Sequence, residues 1–154
     1  MNLEEQYDKI YRYCYFKVKN REIAEDITQE TFLRFLENIS YVNRGQELRY
    51  LYTIARNLCV DEYRRKREEP LPEEAAGSFE EENMVMRIAV RSALEGLEET
   101  DRELLLMRHV NGVPVSVIAG LYGMSRFAAY RRILQAEKNL KSGLGKEGLS
   151  WIES

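Results

Sequence analysis

The stretch "NGVPVSVIAGLYGMSRFAAYRRIL", Asn111 to Leu134, holds a turn, a short apolar helix, a second turn and the start of another helix. Asn111 and Gly112 turn the chain, Pro114 suits the first turn of a short helix through Leu121, and Gly123-Met124 breaks it. Ser125 then caps a last helix ending near Lys141. Helix, tight turn with glycine, helix is the helix-turn-helix pattern. Just upstream, "TDRE" from Thr100 reads as a capping box in which Glu103 reaches back to the cap backbone, predicting a helix from Asp101 to Val110. A further helix is expected near Met84 to Leu97.

Before it lies "EEPLPEEAAGSFEEEN", Glu68 to Asn83, with two of the three prolines, seven glutamates and no basic residue. Such a run repels itself and buries little, so it reads as a linker. The N-terminal part, 1–67, shows helical spacing throughout. Leu3, Tyr7, Ile10, Cys14 and Val18 mark a first amphipathic helix. Asn20 can cap a second, with Ile23, Ile27, Phe35, Leu36 and Ile39 inward. After a polar turn around Tyr41 to Gln46, a third runs from about Glu47 to Arg67 with Leu48, Leu51, Ala55, Leu58 and Cys59 inward. The expected fold is all-α: two small helical domains, an N-terminal bundle (1–67) and a C-terminal helix-turn-helix (84–142), joined by the acidic linker (68–83) and followed by a tail (143–154).

The 154 residues, 44% hydrophobic and 32% charged with net charge −3, describe a folded soluble protein. No window approaches the roughly 18 consecutive apolar residues of a membrane helix. "MNLEEQYDK" opens with acids instead of the basic-then-apolar order of a signal peptide, so a cytoplasmic location is expected. Cys14 and Cys59 stand far apart and read as buried thiols. His109 is the only histidine, so no Ser/His/Asp, Cys/His or two-histidine metal site can be built. With the glycines scattered singly there is no phosphate loop. No enzyme, cofactor or metal is expected.

Three constellations remain. In "AEDITQETFLRFL", Ala24 to Leu36, the residues Glu25, Asp26, Gln29 and Glu30 largely share one helix face, which fits either a solvated surface or a docking patch for a basic partner. From Arg44 to Arg67, the seven bases Arg44, Arg49, Arg56, Arg64, Arg65, Lys66 and Arg67 outnumber the three acids Glu47, Asp61 and Glu62. Basic residues also suit a helix C-terminus, but Tyr41, Tyr50, Tyr52 and Tyr63 lie among them, and aromatic faces beside cationic groups bind unstacked single-stranded bases. From Arg126 to Lys141, the bases Arg126, Arg131, Arg132, Lys138 and Lys141 face a single acid, Glu137. In a helix-turn-helix the start of the second helix meets base edges while flanking bases grip phosphate. The rival is a helical hairpin packed through Ala129, Ile133, Ala136 and Leu140.

Together these residues resemble the bacterial extracytoplasmic-function sigma factors over nearly the whole chain. "AEDITQETFLRFL" is similar to the segment that docks on the clamp helices of the largest subunit of core RNA polymerase. "RYLYTIARNLCVDEYRRKR" is similar to the segment that opens and reads the minus-ten element (sigma region two), and "ALEGLEETDRELLLMRHVNGVPVSVIAGLYGMS" with the last helix to the domain reading the minus-thirty-five element (sigma region four). The resemblance implies polymerase docking through Asp26, Gln29 and Glu30. It implies minus-ten contacts through Tyr50 (where the family usually has tryptophan), Asn57, Asp61, Arg64 and Arg65, with a flipped base captured by the turn Ser40 to Gln46. It implies minus-thirty-five contacts through Ser125, Arg126, Tyr130, Arg131 and Arg132. An acidic linker threading toward the RNA exit path and an anti-sigma protein as a second partner are further implications.

The sequence departs from the family at Val117-Ile118-Ala119, commonly Glu-Ile-Ala, and at Phe127 to Arg132, commonly Gly-Thr-Val-Lys-Ser-Arg. Promoter specificity therefore does not carry over. Phe127, Ala128 and Ala129 fit either thymine-methyl contacts or packing. The expected function is a sigma factor. The alternatives are a helix-turn-helix regulator acting without polymerase docking and a helical protein-binding adaptor.

Overall fold

The computed structural model describes residues 1–66 and 91–153, those of 145–153 and Lys66 by backbone only. The described residues are helices and turns with no strand, so the all-α expectation holds. The chain forms two compact units.

The first unit is a three-helix bundle of α1 (Leu3–Val18), α2 (Arg21–Asn38) and α3 (Glu47–Lys66). Asn2 starts α1, its side chain accepting the Glu5 N–H at 3.1 Å, and Glu4 and Glu5 in the first turn complement the helix dipole. Lys19 ends the helix in the left-handed region, φ 55°, its N–H bonded to the Tyr15 carbonyl at 2.8 Å. The next residue, Asn20, caps α2 by accepting the Ile23 N–H at 3.0 Å. Two helices thus meet at a two-residue corner.

α2 buries Ala24, Ile27, Thr28, Thr31, Phe32 and Phe35 against α1 and α3. Two of those six are threonines, and their hydroxyls donate to the carbonyls of Ala24 and Ile27, at 2.6 and 2.7 Å, so burial leaves no donor unpaired. Aromatic pairs knit the bundle: Tyr7 on Phe32 with ring centres 5.3 Å apart, Tyr13 edge-on to Tyr52 at 5.8 Å, and Phe35 with Tyr50 at 6.0 Å. Cys14 and Cys59 are both free and buried, as expected.

Some expected core residues prove to be surface. Leu36 is 54% exposed and Leu3 40%, while Tyr52, grouped above with the nucleic-acid aromatics, has no exposed surface at all. Thr28 and Thr31, absent from the expected inward face, are fully buried. Once their hydroxyls bond within the helix, their methyls pack like those of valine.

Further along the chain residues 91–95 are helical, followed by α4 (Glu99–Leu105), one π-helical turn (Leu106–Val110), α5 (Val115–Tyr122) and α6 (Arg126–Glu153). The expected capping box is absent. The helix begins at Glu99 with Glu98 in the cap position, and Glu103 is buried within the helix. The π turn closes by the Asn111 N–H reaching the Leu106 carbonyl at 2.9 Å, and Val113 N–H bonds Met107 at 2.9 Å. Gly112 and Gly123, at φ 65° and 64°, make the two turns that a side chain would strain. Leu104, Met107, Val113, Ile118, Ala129, Ile133 and Ala136 form the core.

α6 continues to Glu153 rather than ending near Lys141, running through Gly143, Gly145 and Gly148. Gly143 serves a close approach there: a Cβ at this position would sit 3.2 Å from the Ala93 Cβ. The expected linker 68–83 and the first half of the helix from Met84 to Leu97 lie outside the described residues.

Phe35→Ala removes a ring at the centre of the bundle and is expected to cost about 3–5 kcal/mol in urea unfolding. Leu36→Ala, the adjacent change, is expected to stay within about 0.5 kcal/mol. Comparable losses at the two positions would contradict the assignment of the faces.

Candidate polymerase and nucleic-acid interfaces

The face of α2 opposite the core carries Asp26, Gln29 and Glu30. Asp26 and Gln29 are exposed, and Glu30 holds Arg34 through its Nε at 2.8 Å. Leu33 and Leu36, 57% and 54% exposed, fall on the same side at spacings of three and four residues. The strip is therefore acidic at its N-terminal end and apolar at its C-terminal end. The sequence reading missed Leu33 and turned Leu36 inward. A signal was available: "FLRFL", Phe32 to Leu36, has four large apolar residues spread over most of the helix circumference, more than one buried face can take.

Between α2 and α3 the chain passes through a one-turn 3₁₀ helix, Ile39–Tyr41, and a loop that reverses at Gly45, φ 90°. The loop is fastened twice. Gln46 N–H donates to the Asn43 carbonyl at 3.0 Å, and Gly45 N–H donates to the Glu47 carboxylate at 2.9 Å. The backbone N–H groups of Glu47 and of Gly45 both stabilise the carboxylate, so its pKa lies below the usual value.

This loop and the start of α3 enclose an open groove of about 430 Å³. Amides from Asn38, Asn43 and Gln46 line it together with Tyr41, Tyr50 and Thr53. The chemistry is that of a nucleobase seat, with flat aromatic faces for stacking and amides able to donate and accept. Tyr41 is largely exposed at the rim, while Tyr50 leans on Phe35 and is positioned by the core.

From the groove a polar stripe continues along α3. Tyr50, Thr53, Asn57, Asp61 and Arg64 recur every three or four residues, and Asn57, Asp61 and Arg64 are exposed. Arg65 is also exposed and pairs with Glu62 at 3.0 Å, beside the exposed ring of Tyr63. Four of the five residues assigned to minus-ten contacts, all but Arg65, thus share one stripe with the groove. The side chains of Lys66 and Arg67 lie outside the described residues.

In the second unit Ser125 caps α6 as expected, its Oγ accepting the Ala128 N–H at 3.1 Å. Arg126, Tyr130 and Arg131 are exposed in the first two turns, together with Phe127, while Ala129 and Ile133 close the core behind them. Arg132 differs. Its Nε donates to the Asp101 carboxylate at 2.8 Å and its Nη2 to Glu98 at 3.2 Å, tying α6 to the start of α4. The hydrogen bond and charge of Asp101 raise the guanidinium pKa above its already high ordinary value. His109 Nε2 reaches Glu137 Oε1 at 2.7 Å, fastening the π turn to the same helix. Among the described residues no three His, Cys, Asp or Glu side chains gather to hold a metal, and no helix is long and apolar enough to cross a membrane.

Two families account for the two units: Sigma-70 region 2 matches residues 3–69 and Sigma-70 region 4 matches 87–140. In sequence the chain is 33% identical over 141 residues to the ECF RNA polymerase sigma factor BldN of Streptomyces coelicolor, covering 82% of this chain and 53% of that protein. It is 30% identical over 138 residues to EcfG of Rhodopseudomonas palustris, covering 84% and 75%. SigE of Mycolicibacterium smegmatis is 27% identical over 158 residues, covering 96% and 62%. The matched part is therefore little more than half of BldN and under two thirds of SigE. In fold the chain is similar to the sigma factor RpoE of Bartonella quintana, solved with the anti-sigma factor NepR, with a TM-score of 0.70 at 20% identity over 91% of this chain and 92% of that one. The paired regions define a protein of the sigma-70 type. Within that type, the chain belongs to the ECF RNA polymerase sigma factors.

Arg132→Ala leaves the buried Asp101 carboxylate without its cation and should lower the stability of the second unit by about 1 kcal/mol, where Arg131→Ala stays within about 0.5 kcal/mol. Equal effects in thermal unfolding would contradict the distinction. Acid titration tests the loop. Because the folded-state pKa of Glu47 is lowered, its bond to Gly45 is present above the ordinary carboxylate value and lost as pH falls through the lowered one. The Gly45 amide resonance should report a midpoint below 4.5, and a midpoint at or above that value contradicts the fastening.

Proposed function

We propose that the chain is a dissociable, non-catalytic subunit of RNA polymerase that directs core enzyme to promoters and helps open them. The observation that carries the reading is the arrangement of α2 and α3. One face of each builds the core of a single bundle, and the other faces offer two chemically different surfaces, an acidic-apolar strip and an aromatic-cationic stripe ending in a groove.

In this reading Asp26, Gln29 and Glu30, extended by Leu33 and Leu36, dock on the clamp helices of the largest polymerase subunit. Charge steers that encounter and the leucines supply burial. Tyr50, Asn57, Asp61, Arg64 and Arg65 face the minus-ten element. The groove by Tyr41 and Gln46 takes an unstacked non-template base, since opening a duplex is aided by any protein that binds the flipped base more strongly than the stacked one. Ser125, Arg126, Tyr130 and Arg131 meet the minus-thirty-five element. Arg132 belongs to this group by resemblance and acts there by holding α6 in place. In the same reading residues 1–67 bind polymerase and the minus-ten element, 68–83 are an acidic spacer, 84–142 bind the minus-thirty-five element and 143–154 are a tail. An anti-sigma protein covering the α2 strip would keep the chain off polymerase in the cytoplasm.

The test is transcription of a genomic promoter library by core polymerase with and without the purified chain. Discrete added transcripts are expected. Their absence, with no co-elution on core, overturns the reading. A dimer binding duplex DNA tightly without core would favour a helix-turn-helix regulator instead, and a complete lack of promoter-dependent effects a protein adaptor. Asp26→Arg with Gln29→Ala should abolish co-elution with core at unchanged helicity by circular dichroism. Retained co-elution would remove docking from this strip.

A further inference from the structure

Phe127 is 80% exposed in the first turn of α6. Its neighbours settle why that is not packing. Ala129 and Ile133 close the core on the other side of the helix, and the Ser125 cap fixes the turn that carries the ring. Phe127 makes no ring contact among the described residues. Tyr130, one turn later, continues the same exposed side.

Charge names the occupant. Arg126 and Arg131 flank the ring and form no hydrogen bond or ion pair among the described residues, so both are available to phosphate. Arg132 is already committed to Asp101 and Glu98. The start of this helix therefore presents an apolar ring between two available cations, on the second helix of a helix-turn-helix. A phenyl ring has no donor or acceptor with which to read a base edge. The apolar feature of the major groove is the C5 methyl group of thymine.

We infer that Phe127 is a specificity-determining residue that reads a thymine methyl in the upstream promoter element. This rests on the reading, proposed above, that α6 enters the major groove. Burying one methyl is worth about 0.8 kcal/mol, or about fourfold in binding.

Uracil in place of thymine removes that methyl and leaves every hydrogen-bonding edge unchanged. Core polymerase with the full chain is used to enrich a genomic library, and each thymine of the enriched upstream element is then replaced singly by uracil. At one position binding should weaken about fourfold, and for Phe127→Ala the thymine and uracil duplexes should bind equally. The exposed position makes misfolding of that variant easy to check by its unfolding midpoint, and Phe127→Leu should keep part of the preference. Indifference of the unsubstituted chain to uracil at every position, or an unchanged preference in Phe127→Ala, overturns the inference alone. Failure to enrich any element overturns the proposed function and this inference with it.

Discussion

Each unit is so small that a helix can bury only one face, and the rest of the structure depends on that constraint. In the first unit the inner face of α2 is set by Phe35, Phe32 and Ile27, with Thr28 and Thr31 filling the remaining space. The threonines are admitted because their hydroxyls bond back to Ala24 and Ile27 at 2.6 and 2.7 Å. An inner face so completely defined fixes the outer one by rotation. Asp26, Gln29, Leu33 and Leu36 are surface because the core has no room for them.

The same logic governs α3. Leu51, Tyr52, Ala55 and Cys59 anchor one side of the helix, and the opposite side runs unbroken from Tyr50 to Arg64. The groove at its start needs a rigid loop, and the Gly45 turn with its bond to Glu47 supplies one from only a few residues. The glycine turns at positions 112 and 123 set the entry and exit of α5. The Arg132–Asp101 and His109–Glu137 pairs then fasten α6 to the elements before it. Net charge, −3 for the whole chain, averages over acidic and basic surfaces.

Much of this was legible in the sequence. Asn20 and Ser125 cap the helices they were expected to cap, and the turns at Asn111-Gly112 and Gly123-Met124 lie where the pattern put them. Three things were not legible. Periodicity alone could not rank Leu36 against Thr28 for the core, because hydropathy counts the threonine hydroxyl as a cost that the helix backbone removes. The "TDRE" pattern lost to a helix beginning at Glu99, which turns Asp101 and Glu103 into buried positions and frees Asp101 to hold Arg132. Finally, a sequence cannot show whether an arginine on a recognition helix is available or already paired, and here Arg131 and Arg132, adjacent in the chain, differ in just that respect.

The central claim is that the outer face of α2 meets polymerase while its inner face holds the bundle together. A photocrosslinking amino acid placed singly at positions 29, 33 and 12 of the full chain, each bound to core enzyme, tests it most directly. Positions 29 and 33 on the α2 strip should crosslink to the largest polymerase subunit, and position 12, exposed on α1, should not. Crosslinks from position 12 alone, or none from positions 29 and 33 in a complex that still forms, would contradict the account.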